Sequence, residues 1–167
     1  MIAGVVSGLT QFFLPTQLLA VVALGLMIGQ GVGQVRMVTL FALGLAAGSI
    51  VIASAIRETP AALALLAIAA AAGILVVLAW TPPAILTGAL ALIAGAALAL
   101  NAPPQALTIP AAIGEQIGTA MAALATVALV AFVAMKADRP WQRIGARVVG
   151  SWIAAFAILV LALRLVR

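Results

Sequence analysis

The stretch TPAALALLAIAAAAGILVVLAWTPP, residues 59–83, decides the fold class. It carries no charged side chain and lies between Thr59-Pro60 and Trp80-Thr81-Pro82-Pro83. Threonine followed by proline favours a helix start, because threonine caps helices and proline fits the first helical position. A helix needs about 20 apolar residues to cross the hydrocarbon core of a bilayer. We therefore expect a spanning helix over residues 60–80, with Trp80 at the membrane–water interface.

The composition extends this expectation to the whole chain. The 167 residues are 67% hydrophobic and 7% charged, with a mean hydropathy of +1.38. Soluble domains are roughly half apolar and a quarter charged. We predict an all-α integral membrane protein, with residues 1–167 forming one transmembrane domain of about six helices. The expected spans are about 2–30, 37–56, 60–80, 84–100, 111–135 and 148–166.

Two proline-containing segments are expected to break the helices. The residue before a proline disfavours the helical conformation, so residues 2–14 are expected to form a half-helix or re-entrant piece before a main helix that starts near Pro15. The second segment is NAPPQALTIP, residues 101–110, where Pro103-Pro104 and several polar side chains separate two apolar stretches.

The missing residue types exclude several kinds of chemistry. The chain has no cysteine and no histidine, which excludes disulfides and thiolate metal sites and removes the commonest metal ligand and general base. With three acidic residues, an oxygen cage for a hard metal ion is disfavoured. We therefore expect neither enzymatic activity nor a bound cofactor.

The net charge of +5 is interpreted as a membrane-topology signal. The basic residues lie at the ends of the predicted spans, which indicates contact with anionic lipid and not binding of nucleic acid. The segment KADRPWQRIGAR, residues 136–147, is the strongly charged loop, and the positive-inside rule favours it in the cytoplasm with both termini outside. Five basic residues are expected on that side of the membrane and Arg57, Arg164 and Arg167 on the other. The interfacial residues at the charged loop are Arg139, Trp141, Arg143, Arg147 and Trp152.

Small residues recur at four-residue spacing, which places them on one face of a helix. Such faces allow close approach of neighbouring helices, and intramolecular packing is the favoured interpretation. The groups are Gly4/Gly8, Gly25/Gly29/Gly33, Gly44/Gly48 and Gly114/Gly118.

Glu115 is the ionisable residue that lies well inside a predicted span, beside Gln116 and near Thr119. An ionisable group in a membrane is costly and usually faces the protein interior or a wet cavity, so one hypothesis is a solute or proton path past Glu115. The other is that Glu115 lies near the headgroups and points at water or pairs with an arginine. Both alternatives stay open from the sequence.

A set of uncharged polar residues accompanies the two breaks. Unpaired amides in lipid cost several kcal/mol, so these side chains are expected to meet each other, water or freed backbone groups. A solute site built on broken helices is one interpretation, and mutual hydrogen bonding that holds irregular segments together is the favoured one. The residues are Gln11, Thr16, Gln17, Asn101, Gln105 and Thr108.

Residues 7–30, SGLTQFFLPTQLLAVVALGLMIGQ, and NAPPQALTIP together resemble the HupE/UreJ family of small bacterial membrane proteins associated with nickel supply to hydrogenase and urease. The first family motif is similar to H-P-x-x-G-x-D-H, and with one deleted residue Gln11 and Gln17 fall on its histidines. The second is similar to H-G-x-A-H-G-x-E-x-P, and places Asn101 and Gln105 on histidines, Thr108 on the glutamate and Pro110 on the proline. A third element is similar to G-F-x-x-A-T-x-L-L-H, where GEQIGTAMAA, residues 114–123, keeps Gly114 and Thr119 but has Ala123 at the histidine. Glu115 falls on the phenylalanine and is not an inherited ligand.

The resemblance implies a six-helix fold, from about residue 7 to the last helix, that has lost its metal ligands. Amides and hydroxyls bind Ni²⁺ poorly compared with imidazole and carboxylate. We therefore expect a non-catalytic accessory subunit that packs against other subunits of a larger complex in the bacterial inner membrane. The alternative is a transporter or channel of the family type for nickel or for a small neutral solute.

Overall fold

The computed structural model describes residues 2–13, 15–53, 61–102, 104, 105, 108–137 and 139–165. All regular structure in these ranges is helical. The helices are α1 (Ile2–Phe12), α2 (Pro15–Gln30), α3 (Gln34–Ala53), α4 (Ala61–Leu78), α5 (Ala84–Asn101), α6 (Ile109–Met135) and α7 (Pro140–Leu165). The expected all-α fold is confirmed.

Five helices, α3 to α7, are long and apolar enough to cross a membrane. α1 and α2 are shorter, and they pass the same test when they are taken together as one bent span, which gives up to six crossings. The observed ends agree with the predicted spans to within three residues wherever both lie in the described ranges, except at the start of α7. The expected helix start at Thr59-Pro60, the basic residues Arg57 and Arg167, and Pro103 lie outside the described residues.

The expected break near Pro15 is confirmed. α1 ends at Phe12, α2 begins at Pro15, and the two axes differ by 74°. Proline suits the first position of a helix. The backbone N–H group at that position has no intrahelical partner in any residue, so proline, which lacks this group, loses no helical hydrogen bond there. Residues 2–12 therefore form a separate half-helix, which we call with α2 the broken span.

The expected loop at residues 136–147 is wrong over most of its length. Pro140 begins α7, so the basic residues from 143 onward lie on its first turns. The backbone N–H of Arg139 donates to Oε1 of Gln142 at 3.1 Å, and the N–H of Gln142 donates to the carbonyl of Arg139 at 3.0 Å. This reciprocal pair satisfies the helix start. The hydropathy pattern did not predict these helical turns, because their charged side chains lower the local mean hydropathy.

Glycines make the tightest helix contacts, as the four-residue spacing predicts. A Cβ atom added at Gly4, Gly8 or Gly118 would lie within 3.0 Å of backbone atoms across the α1–α6 contact. The same holds for Gly44 and Gly95 across the α3–α5 contact. Since no side chain separates these backbones, even a methyl group would force the helices apart.

Gly33 does not share this packing role. Its φ angle is +77° in the turn between α2 and α3, and a Cβ atom there would meet nothing within 4 Å in the described part of the chain. The left-handed conformation explains glycine at this position, so the predicted packing group ends at Gly29.

The order of the contacts gives the direction of each helix. Gly25 and Gly29 of α2 meet residues 127–130 and 131–134 of α6 in the same order, so α2 and α6 are parallel. By the same comparison α3 is parallel to α5, and α4 is antiparallel to α7. The N-terminal part of α3 faces the C-terminal part of α6, so that pair is antiparallel.

These directions divide the bundle into two halves of opposite orientation. The broken span, α3 and α4 form the first half; α5, α6 and α7 form the second. If the broken span is matched with α5, α3 with α6 and α4 with α7, the contact of the broken span with α6 corresponds to the contact of α5 with α3. The α4–α7 and α3–α6 contacts then correspond to themselves. The contact between α4 and α5 corresponds in the same way to the contact between α7 and α2. The extensive α2–α4 contact has no counterpart of similar extent among the described residues.

Candidate functional site

The carboxylate of Glu115 is buried between α6, α1 and the segment that follows α5. Its side chain is 7% exposed. The Ser7 hydroxyl donates to its Oε1 at 3.3 Å, and the backbone N–H of Gln105 donates to its Oε2 at 2.8 Å. Glu115 therefore faces the protein interior, and it satisfies backbone that the break at residues 101–108 exposes. This burial contradicts the alternative in which the side chain points at water, and the alternative in which it pairs with an arginine stays a prediction.

Thr119 extends this network by one helical turn. Its hydroxyl lies 3.1 Å from the carbonyl of Gly8 and 3.0 Å from the carbonyl of Glu115. The side chain is 3% exposed, and the Gly8 carbonyl is within reach because α1 and α6 approach without an intervening side chain. We call Ser7, Gln105, Glu115 and Thr119 the carboxylate cluster.

Gln17 occupies the first turn of α2 and is completely buried. Neither its Nε2 nor its Oε1 has a hydrogen-bond partner in the described part of the chain. Because Gly8 of α1 meets Glu115 and Gly25 of α2 meets Val127, Gln17 lies between these levels, near the middle of α6. The first N–H groups of a helix lack intrahelical partners, so the unpaired amide lies at a helix start, where backbone donors also depend on partners from outside the helix.

Gln116 lies on the opposite side of α6 from α1. Its Nε2 donates to the Ser49 hydroxyl of α3 at 3.1 Å, while its Oε1 is buried without a partner among the described residues. This pair faces an apolar groove of about 770 Å³ between α3 and α6, which is also lined by Ile113 and Ile117. A second groove of about 320 Å³ continues along the same two helices. We call this line of grooves the α3–α6 seam.

The six residues at the breaks are not joined by the mutual hydrogen bonds that the sequence favoured. Within the described ranges no hydrogen bond links the side chains of Gln11, Thr16, Gln17, Asn101, Gln105 and Thr108 to each other, and Gln105 contributes through its backbone N–H. Thr108 is the N-cap residue of α6, but its hydroxyl makes no capping bond. The irregular segment is instead held by the carboxylate cluster, because a carboxylate accepts stronger hydrogen bonds than an amide.

The third motif position, Ala123, is fully buried in the interior face of α6. No group of three or more histidine, cysteine, aspartate or glutamate side chains that could hold a metal ion occurs among the described residues. Of the positions that the resemblance assigns to metal ligands, Gln17 and Ala123 are fully buried, whereas Gln105 and Thr108 are exposed.

Arg139, Trp141, Arg143 and Arg147 have exposed side chains at the start of α7. Trp152 is exposed as well, but it lies 12 residues after Pro140, about 18 Å along the helix at 1.5 Å per residue, so it does not flank the helix entry as expected. The Arg143 Nε donates to the carbonyl of Ala137 at 3.3 Å.

Ser7 and Ser49 contribute to the site but were missed by sequence reasoning. Serines are common on helix surfaces, and nothing in their neighbourhood distinguishes them by residue type. The available signal was position: Ser7 precedes Gly8 and Ser49 follows Gly48, so each lies beside a glycine that brings another helix into reach.

The chain matches no protein-family model, and it matches no curated protein and no solved structure closely enough to carry an argument. The function is therefore argued from the geometry of the site.

Proposed function

We propose that the protein is a multi-pass protein of a bacterial inner membrane that carries a small uncharged polar solute and does not bind a metal ion. The observation that carries this proposal is the interrupted first span, where the Gln17 amide is buried at the break without a partner in the described part of the chain. Inverted halves recur in secondary transporters, where the substrate site lies near the bilayer midplane between the repeats and is formed by interrupted helices.

The broken span supplies such an interrupted helix. α6 has 27 residues and is about 40 Å long at 1.5 Å per residue, so its middle lies near the centre of a bilayer that it crosses. Gln17 and the first turn of α2 lie at that level. A buried amide without a partner costs about 1–3 kcal/mol, and a bound solute that offers one donor and one acceptor would remove this cost.

The chemistry of the centre favours a neutral cargo. Gln17 offers one acceptor and one donating group and carries no charge. The carboxylate cluster is already engaged with α1 and Gln105, which supports a structural role for Glu115. Amides and hydroxyls at the motif positions are poor ligands for Ni²⁺, so the resemblance to the HupE/UreJ family supports a shared fold and a different cargo.

Uptake into vesicles tests the proposal. Purified protein is reconstituted into phospholipid vesicles, and entry of radiolabelled urea, acetamide, glycerol and Ni²⁺ is measured. We expect saturable entry of at least one neutral solute and no saturable entry of Ni²⁺. Gln17→Leu should abolish that entry, and Thr126→Val, which alters a hydroxyl bonded within α6, should not. Saturable Ni²⁺ uptake, or neutral uptake that Gln17→Leu leaves unchanged, would contradict the proposal.

A second candidate function, an accessory subunit of a larger membrane complex, is favoured by the α3–α6 seam. Its larger groove is apolar and flanked by exposed isoleucines, which suits the face of another spanning helix. Purification in a mild detergent should then retain a stoichiometric partner that the double variant Ile113→Ala, Ile117→Ala loses. A chain that purifies alone in both forms would count against this candidate.

A further inference from the structure

The basic end of the bundle contains a cavity that neither candidate function uses. It has a volume of about 310 Å³ and lies where α2, α4 and α6 end and α7 begins. Arg143 and Arg147 line it together with Thr81 and Ala79. The volume is at the lower end of the range for small-molecule sites.

Arg143 and Arg147 both line the cavity from the α7 side. They are four residues apart on α7, which places them on the same helix face. Neither guanidinium forms an ion pair within the described ranges, and Arg143 uses its Nε for the Ala137 carbonyl. Like charges at this spacing repel each other on a helix, so an anion between them would relieve an unfavourable contact.

A simpler explanation for arginines at this place is that they neutralise the partial negative charges at the C-terminal ends of three helices. Each C-terminus carries about half a negative charge, and the start of α7 carries about half a positive charge. Arg143 and Arg147 line the cavity and bring two positive charges, and the start of α7 adds about half of one. The three helix ends together supply about one and a half negative charges, so about one positive charge is left over at the cavity.

The cavity also has a strained wall. Ala79 adopts a φ angle of 49° at the end of α4, a left-handed conformation that costs alanine free energy. It allows the N–H of Trp80 to donate to the carbonyl of Leu75 at 3.2 Å, and the chain then turns so that Thr81 lines the cavity. Trp80 and Trp141 are more than half exposed near this end, as expected for side chains at the level of lipid headgroups.

We infer that this cavity binds the phosphate group of an anionic phospholipid through Arg143 and Arg147. Guanidinium groups bind phosphate with two parallel hydrogen bonds, and basic pockets between spanning helices suit anionic headgroups. Thr81 adds a hydroxyl donor at the same wall. The inference does not depend on whether the protein carries a solute or serves as a subunit.

Native mass spectrometry of the detergent-purified protein tests this site. The protein is incubated with equal amounts of phosphatidylglycerol and phosphatidylcholine, and the retained lipid is identified. We expect preferential retention of phosphatidylglycerol, reduced about 5-fold by Arg147→Gln and about 30-fold by Arg143→Gln with Arg147→Gln, since each basic residue near a membrane surface contributes a factor of this size. The single variant keeps the test informative if the double variant does not fold.

Arg139→Gln is the matched control, because Arg139 precedes α7 and does not line the cavity. Retention equal to wild type in Arg139→Gln supports a defined site, and an equal loss there would overturn it in favour of a diffuse surface charge. Retention unchanged in Arg143→Gln with Arg147→Gln would also overturn it. Inorganic phosphate is added in a separate arm: if it displaces the lipid at millimolar concentration, the site takes free phosphate and the assignment to a headgroup is wrong.

Discussion

Replacing Gln17 by leucine should stabilise the protein and abolish its transport. Leucine is close in size to glutamine but is branched at Cγ, so it occupies most of the same space in the core. The change removes an amide whose two polar atoms have no partner in the described part of the chain. An unsatisfied buried polar group costs about 1–3 kcal/mol, and this cost disappears in the variant.

The stability change is measured by titration with sodium dodecyl sulfate, with unfolding followed by tryptophan fluorescence. Gln17→Leu should raise the free energy of unfolding by about 1–3 kcal/mol. Thr119→Val is the matched control, because its buried hydroxyl lies 3.1 Å from the Gly8 carbonyl, and its loss should lower stability by about 1 kcal/mol. If Gln17→Leu lowers stability by as much as Thr119→Val, the amide is bonded in the folded protein and the reasoning is refuted. If Gln17→Leu raises stability and solute uptake persists, the unpaired amide is not required for transport.

Three further substitutions test the packing and the network by the same titration. Gly8→Ala should lower stability by about 1–3 kcal/mol, because its Cβ would lie against the α6 backbone. Gly145→Ala, whose Cβ would meet nothing within 4 Å among the described residues, should raise stability by up to about 1 kcal/mol. Equal effects of the two substitutions would show that α1 does not approach α6 closely. Glu115→Gln should stay within about 1 kcal/mol of wild type, since an amide can accept from the Gln105 N–H and donate to a hydroxyl, whereas Glu115→Leu should cost about 1–3 kcal/mol; a collapse of Glu115→Gln would mean that the negative charge itself is required. Ala79→Gly should raise stability by about 1 kcal/mol by relieving the left-handed conformation, and a loss would show that the alanine is not strained.

The sequence predicts the helices well because their signal is local. Composition identifies the spans, and the proline chemistry at Pro15 identifies the break. The start of α7 could not be found in this way, because the first turns of a helix at an interface carry the charge that a hydropathy average assigns to a loop. Glu115 could be recognised as unusual, but its partners could not: Ser7 lies more than 100 residues away in sequence, and only the glycine contact between α1 and α6 brings it close.

The glycine contacts also indicate where the bundle can move. The broken span with α6, and α3 with α5, meet backbone to backbone, so either pair would have to separate before it could slide. The α3–α6 seam lies between these two pairs; it is lined by grooves and joined by the bond from Gln116 to Ser49. Exchanging the two halves maps the seam onto itself, and the seam is the place where the pair of the broken span with α6 can move against the pair of α3 with α5 without breaking either tight contact. Alternating access in inverted-repeat transporters is largely such a rigid-body movement about a fixed site. An accessory subunit that only packs against a larger complex does not require two closely packed helix pairs separated by grooves, whereas a carrier that moves does. We therefore favour the carrier over the accessory subunit.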